Sequence, residues 1–195
     1  MKPSYAAIMV LALPMSLVAQ QPSGGPPANP ITTVFRTRTM SLQRNIAQAF
    51  DSIPEAKFGY KPTPAQLTIG YIAQHLVTDN YLFCNNFGAM KGTQSAKDTT
   101  TADSIKAQWP RDTLIAKLKA SFAFCESAFV QLDDAKLADQ VTMTFRGQSR
   151  NVTRASMVLG HVIDMADHYS QLANYMRLNG ILPPTALPRP GGGGD

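Results

Sequence analysis

The chain has 195 residues, 44% hydrophobic and 16% charged, with 13 Gly, 14 Pro and 2 Cys. This suits one ordinary globular domain with irregular ends and excludes a multidomain machine, a collagen, a disulfide knot and a disordered polyelectrolyte. The formal charge is +5, but the 18 Lys and Arg are scattered along the chain, so they form no run of the kind that follows a nucleic-acid backbone.

The first segment reads as a targeting signal. Lys2 precedes an apolar stretch from Ala6 to Val18, broken by Pro14 and Ser16, and Leu17-Val18-Ala19 before Gln20 resembles a cleavage site. Residues 1–19 are therefore expected to be a secretory signal peptide. The apolar stretch is about 13 residues, short of the roughly 20 that span a bilayer, and no later stretch is long enough. The expected product is secreted or periplasmic, with no membrane attachment after cleavage. An oxidising compartment lets Cys84 and Cys125 pair if their Cα atoms come within about 5–6 Å. Against the pairing, each sits among apolar neighbours and reads as a free core cysteine.

Residues 20–30 and 185–195 are rich in Pro and Gly and are expected to be a flexible linker and a disordered tail. The folded part is expected over 31–184, as four long apolar-periodic segments. The first helix runs from about Ile31 to Ser52, with Val34, Arg38, Leu42, Ile46 and Ala49 to Phe50 at steps of three and four. Lys61-Pro62-Thr63-Pro64 is a stiff connector, and a second helix covers about Ala65 to Phe87. Residues 92–104 are polar and read as an exposed loop. Pro110-Arg111-Asp112 starts a third helix with Leu114, Leu118, Phe122, Cys125 and Phe129 on one stripe. Val141 to Phe145 alternates as a short extended segment. Thr153 can cap a fourth helix reaching about Leu178, which Asn179-Gly180 stops. The fold class is all-α, a helical bundle.

Three histidines exist. His161, Asp164 and His168 fall within an arc of roughly 60° on the fourth helix. Asp164 and His168, one turn apart, form a chelating pair. His75 lies on the second helix, and if the two helices pack side by side, His75, Asp164 and His168 converge as two imidazoles and a carboxylate suited to Zn²⁺, Fe²⁺ or Ni²⁺. The bland alternative is that each histidine is a rim or core residue bonded to its neighbours. Asp79, one turn after His75, reads either as a partner to it or as an exposed acid. Trp109 reads as a loop anchor. No phosphate loop, nucleophile elbow or catalytic carboxylate pair is present, so no catalytic residue is assigned.

Phe58-Gly59-Tyr60-Lys61-Pro62, Ile69 to Leu76 with Asn80 to Cys84, and Asp164 to Gln171 followed by Tyr175-Met176-Arg177-Leu178-Asn179-Gly180-Ile181-Leu182-Pro183-Pro184 together resemble the DinB/YfiT-like metalloenzymes over about residues 31–185. The resemblance implies a four-helix bundle of up-down-down-up topology with a divalent metal near one end, and a thiol-dependent transferase or isomerase chemistry. It also implies a possible homodimer and no role in binding DNA. The family's triad is one His on the second helix and a His-x-x-x-His pair on the fourth. His75 and His168 match it, while Asp164 stands where the first His of the pair belongs, with His161 as the alternative ligand. The expected function is that of an exported metal-binding protein acting as a transferase or hydrolase on a small molecule. The alternative is a metal-free bundle used for small-ligand binding or oligomer contact.

Overall fold

The computed structural model describes residues 28–145 and 147–188. The signal-peptide reading over 1–19 lies outside the described residues. Six helices and one hairpin follow in order: α1 (Pro30–Ser52), α2 (Ile69–Cys84), α3 (Ala96–Thr100), α4 (Asp103–Lys106), α5 (Arg111–Phe129), β1 (Gln140–Phe145), β2 (Gln148–Thr153) and α6 (Arg154–Leu178). The long helices α1, α5, α2 and α6 form a closed ring, each packed on the next and α6 on α1.

Pro30 opens α1 where its missing N–H is harmless. The free N–H groups of this first turn are met from far along the chain. Asp134 accepts from Ile31 N (3.0 Å), Thr32 N (2.8 Å) and Thr32 Oγ1 (2.8 Å), an anion at the positive end of the helix. At the other end, Arg111 at the start of α5 donates to the carbonyls of Asp51 (2.8 Å), Phe50 (3.2 Å) and Ile53 (2.9 Å). One side chain thus satisfies the last turn of α1 and fixes the entry of α5.

The second helix starts four residues later than the expected Ala65, because Thr68 caps it: Thr68 Oγ1 accepts from Tyr71 N at 3.1 Å, leaving Pro64 to Leu67 in turns. The expected loop over 92–104 is instead largely helical. Ser95 and Asp98 form a reciprocal capping box that starts α3, and α4 packs on α2. At the far end, α6 closes with Gly180 at φ +71°. Ile181 N donates to Met176 O (2.9 Å) and Gly180 N to Arg177 O (3.0 Å), the pattern in which a left-handed residue turns the chain out of a helix. The expected tail is ordered through its first residues. Pro184–Ala186 form a short 3₁₀ turn, pinned where Tyr169 Oη donates to Thr185 Oγ1 at 2.9 Å. Residues 189–195 lie outside the described residues.

The expected extended segment at 141–145 has a partner that sequence reading did not find. β1 and β2 pair antiparallel, Met143 opposite Arg150 and Val141 opposite Val152, around Gly147 at φ +75°. The hairpin lies on a second core cluster containing Cys84, Phe87, Cys125, Phe129, Met157 and Val158. A larger cluster, with Ile46, Phe50, Ile72, Leu76, Leu118, Met165 and Leu172, fills the rest of the bundle. Of the two readings left open for the cysteines, the structure takes the disulfide: Cys84 of α2 is bonded to Cys125 of α5, with Cα atoms 5.2 Å apart. No helix among the described residues is long and apolar enough to cross a membrane.

Candidate metal centre

Packing of α2 against α6 sets His75 opposite Asp164 and His168. One ligand atom from each of the three lies within 4.8 Å of the others. The imidazoles of His75 and His168 meet edge to face, with centroids 4.8 Å apart, and His168 Nε2 lies 3.4 Å from Asp164 Oδ1. His161, the alternative ligand, is elsewhere. It is fully buried, with Nε2 2.8 Å from Asn80 Oδ1 and 3.8 Å from both disulfide sulfurs. Cys84, Cys125 and His161 form a second cluster of donor type, but the sulfurs are spent on each other.

Asp79 joins the first group. Of the two readings open for it, the structure takes the partner: the side chain is 13% exposed, with Oδ2 3.2 Å from His75 Nε2. The helical spacing of four residues was the only sequence signal for this contact. Asn80 and Ser121 were not found by sequence reading. Asn80 Nδ2 donates to Ser121 Oγ (2.8 Å), which donates to Leu118 O (2.8 Å). The amide oxygen is thereby turned toward His161, and the imidazole proton belongs on Nε2.

Crowding of like and unlike charge sets the electrostatics. Burial, with the negative charge of Asp164, pushes the Asp79 carboxyl up to about 7. Burial and the neighbouring His168 hold His75 below its ordinary value. Burial pulls His168 down as well, but the hydrogen bond and charge of Asp164, with Asp167 and Asp79 beyond, outweigh it and raise the imidazole. Two atoms of the cluster, Asp164 Oδ2 and His168 Nδ1, are buried without a hydrogen-bond partner. Two carboxylates and two imidazoles pressed together, with unused lone pairs, suit a divalent cation better than they suit one another. The donor set therefore fits a metal of the borderline-soft kind.

The remaining expected positions are structural. Trp109 lies under the ammonium groups of Lys97 and Lys117 at 5.4 and 5.3 Å from its ring centre. Tyr175 packs edge-on to Tyr60.

The sequence profile described as the DinB superfamily matches residues 40–172. Among solved structures, a mycothiol-dependent maleylpyruvate isomerase is similar at TM-score 0.58 and 14% identity, over 72% of this chain and 60% of that one. The chain thus spans less than two thirds of that enzyme. A DinB-like protein from Bacillus cereus matches at TM-score 0.58 and 18% identity, over 77% of this chain and 93% of its own. One from Bacillus subtilis matches at TM-score 0.55 and 18% identity, over 75% and 92%. At these identities the likeness is one of fold. No curated protein matches the chain.

Proposed function

The chain belongs to the DinB superfamily, and on that premise we propose that it is an exported metal-dependent enzyme in which His75, Asp164 and His168 hold one divalent transition metal, Zn²⁺, Ni²⁺ or Fe²⁺. The observation that carries this reading is the convergence of three donors with Asp164 Oδ2 and His168 Nδ1 buried and unpartnered. The reaction proposed is group transfer to or from a thiol, or hydrolysis, on a small molecule. The similar fold of the mycothiol-dependent isomerase supports a thiol chemistry.

A bound metal ion supplies Lewis acidity and lowers the pKa of a coordinated water or thiol. The chain's own groups do the rest. Asp79, buried and with Oδ2 3.2 Å from His75 Nε2, holds that ring in place. Asp164 orients the His168 ring through the 3.4 Å contact.

The test is elemental analysis of protein purified without affinity tag or chelator, beside His75→Ala and His168→Ala. About one equivalent of a transition metal, lost in both variants, supports the reading. Absence of metal, with none taken up from added Zn²⁺, Ni²⁺ or Fe²⁺, overturns it and leaves a bundle that binds a small ligand without metal. Export is tested by N-terminal sequencing of the processed chain, with Gln20 expected first.

A further inference from the structure

The two faces of the hairpin differ in kind. Thr142 opposite Asn151 and Thr144 opposite Ser149 bond across the strands at 3.0 and 2.8 Å on the exposed face. Side chains alternate along a strand, so Val141, Met143, Arg150 and Val152 share the other face. There Met143 is buried, and Val141 and Val152 pack on the second core cluster. Arg150 is thus a cation at an inward register position on an otherwise apolar face. Among the described residues its guanidinium has no hydrogen bond and no ion pair.

Arg150 lines a groove of about 330 Å³ together with Asp79, Leu82, Phe83, Met143 and Met157, within the size range of small-molecule sites, roughly 300–1,000 Å³. The one acid there, Asp79, is turned to His75 at 3.2 Å and leaves the guanidinium unmatched. Asp79 lines the groove and also contacts His75 of the histidine cluster.

We infer that this groove binds an amphipathic anion, its apolar body against Leu82, Phe83, Met143 and Met157 and its carboxylate, sulfonate or phosphate on Arg150. The fork of a guanidinium matches such oxygens in pairs. The inference names the substrate class for the proposed active site and rests on that reading only for the chemistry, since the anion contact needs no metal.

The test uses two fluorescent probes of similar apolar body, 8-anilino-1-naphthalenesulfonate and the uncharged N-phenyl-1-naphthylamine. The sulfonate is expected to bind about one equivalent, roughly tenfold or more tighter than the neutral probe, the factor a charge-assisted hydrogen bond is worth. Arg150→Gln should remove that preference and Arg150→Lys keep part of it; both change an exposed side chain and leave the fold intact by circular dichroism. Ser156→Trp, which fills the exposed rim of the groove, should weaken both probes. In His168→Ala the preference should persist, so a failed metal reading does not remove it. Equal affinity for the two probes, an unchanged preference in Arg150→Gln, or undiminished binding in Ser156→Trp overturns the inference.

Discussion

The Nε2 atom of His161 lies 2.8 Å from Oδ1 of Asn80, and this bond fixes a neutral imidazole in the interior one turn before Asp164. Burial holds that imidazole down at about 4, with the charge of Asp164 pulling weakly the other way. Below the ordinary histidine value of about 6.5 the unfolded chain takes a proton that the folded chain refuses, so His161 makes stability fall as pH drops. Asp79 acts in the opposite sense. Its folded value is raised to about 7, so the folded chain binds the proton more tightly, and stability from this group is present at low pH and lost as pH rises through 7. In metal-free protein the two oppose each other between pH 7 and pH 5. Asp79→Asn removes the Asp79 contribution and leaves that of His161 unopposed, so on going from pH 7 to pH 5 the variant should lose about 2 kcal/mol relative to the parent. Urea unfolding at the two pH values reads it, and a variant that tracks the parent at both refutes it.

Replacing Asp164 by His restores a third imidazole next to His168. Competition against a chelating dye should show Zn²⁺ or Ni²⁺ bound at least tenfold more tightly by Asp164→His than by the parent, because neutral nitrogen donors favour these ions and Asp79 then faces no second carboxylate. An unchanged or weaker affinity would mean that Asp164 is the better ligand at this spacing, or that the site takes no metal.

The Cys84–Cys125 bond closes a loop with a sequence separation of 41, for which loop-closure entropy gives about 4 kcal/mol of stabilisation. Cys84→Ala/Cys125→Ala should lower the unfolding free energy by about that amount while keeping the helical circular dichroism, since both sites are small, fully buried and flanked by core contacts. Urea denaturation of the double variant against the oxidised parent measures it.

Gly70, in the first turn of α2, sits where any Cβ would collide with the carbonyl oxygen of Ala107 just after α4. Gly70→Ala should destabilise by about 1–3 kcal/mol, whereas Gly59→Ala, whose Cβ meets nothing, should be near neutral. Thermal unfolding of the pair separates a tight contact from a general dislike of substitution in this region.

The long helices were legible because their signals are local. The stripe from Leu114 to Phe129, the cap at Thr153 and the stop at Asn179-Gly180 each act within a few residues, and α5 and α6 stand where those signals put them. The joining of His75 to Asp164 and His168 depends on which helices are neighbours, which spacing alone leaves open and the family resemblance supplied. The reading of 92–104 as a loop overlooked Ser95-x-x-Asp98, a capping box whose hydrogen bonds outweigh the poor helix propensity of the threonines that follow. β2 escaped notice because Gln148 to Asn151 is polar throughout. Its strand character comes from pairing with β1, and the inward position of Arg150 exists only once that register is set. Ser121 had no signal at all and Asn80 only its place in the Asn80 to Cys84 stretch of the resemblance; their contact exists only once two helices bring them to 2.8 Å.

The same bridge that joins α2 to α5 also encloses the whole excursion between them, α3 and α4 included, in one covalent ring. A protease that cuts once within residues 92–104 would therefore release nothing. The nicked chain should migrate as a single species until a reductant is added and only then separate into two pieces, each carrying part of the site, with His75 on the amino-terminal piece and Asp164 and His168 on the other.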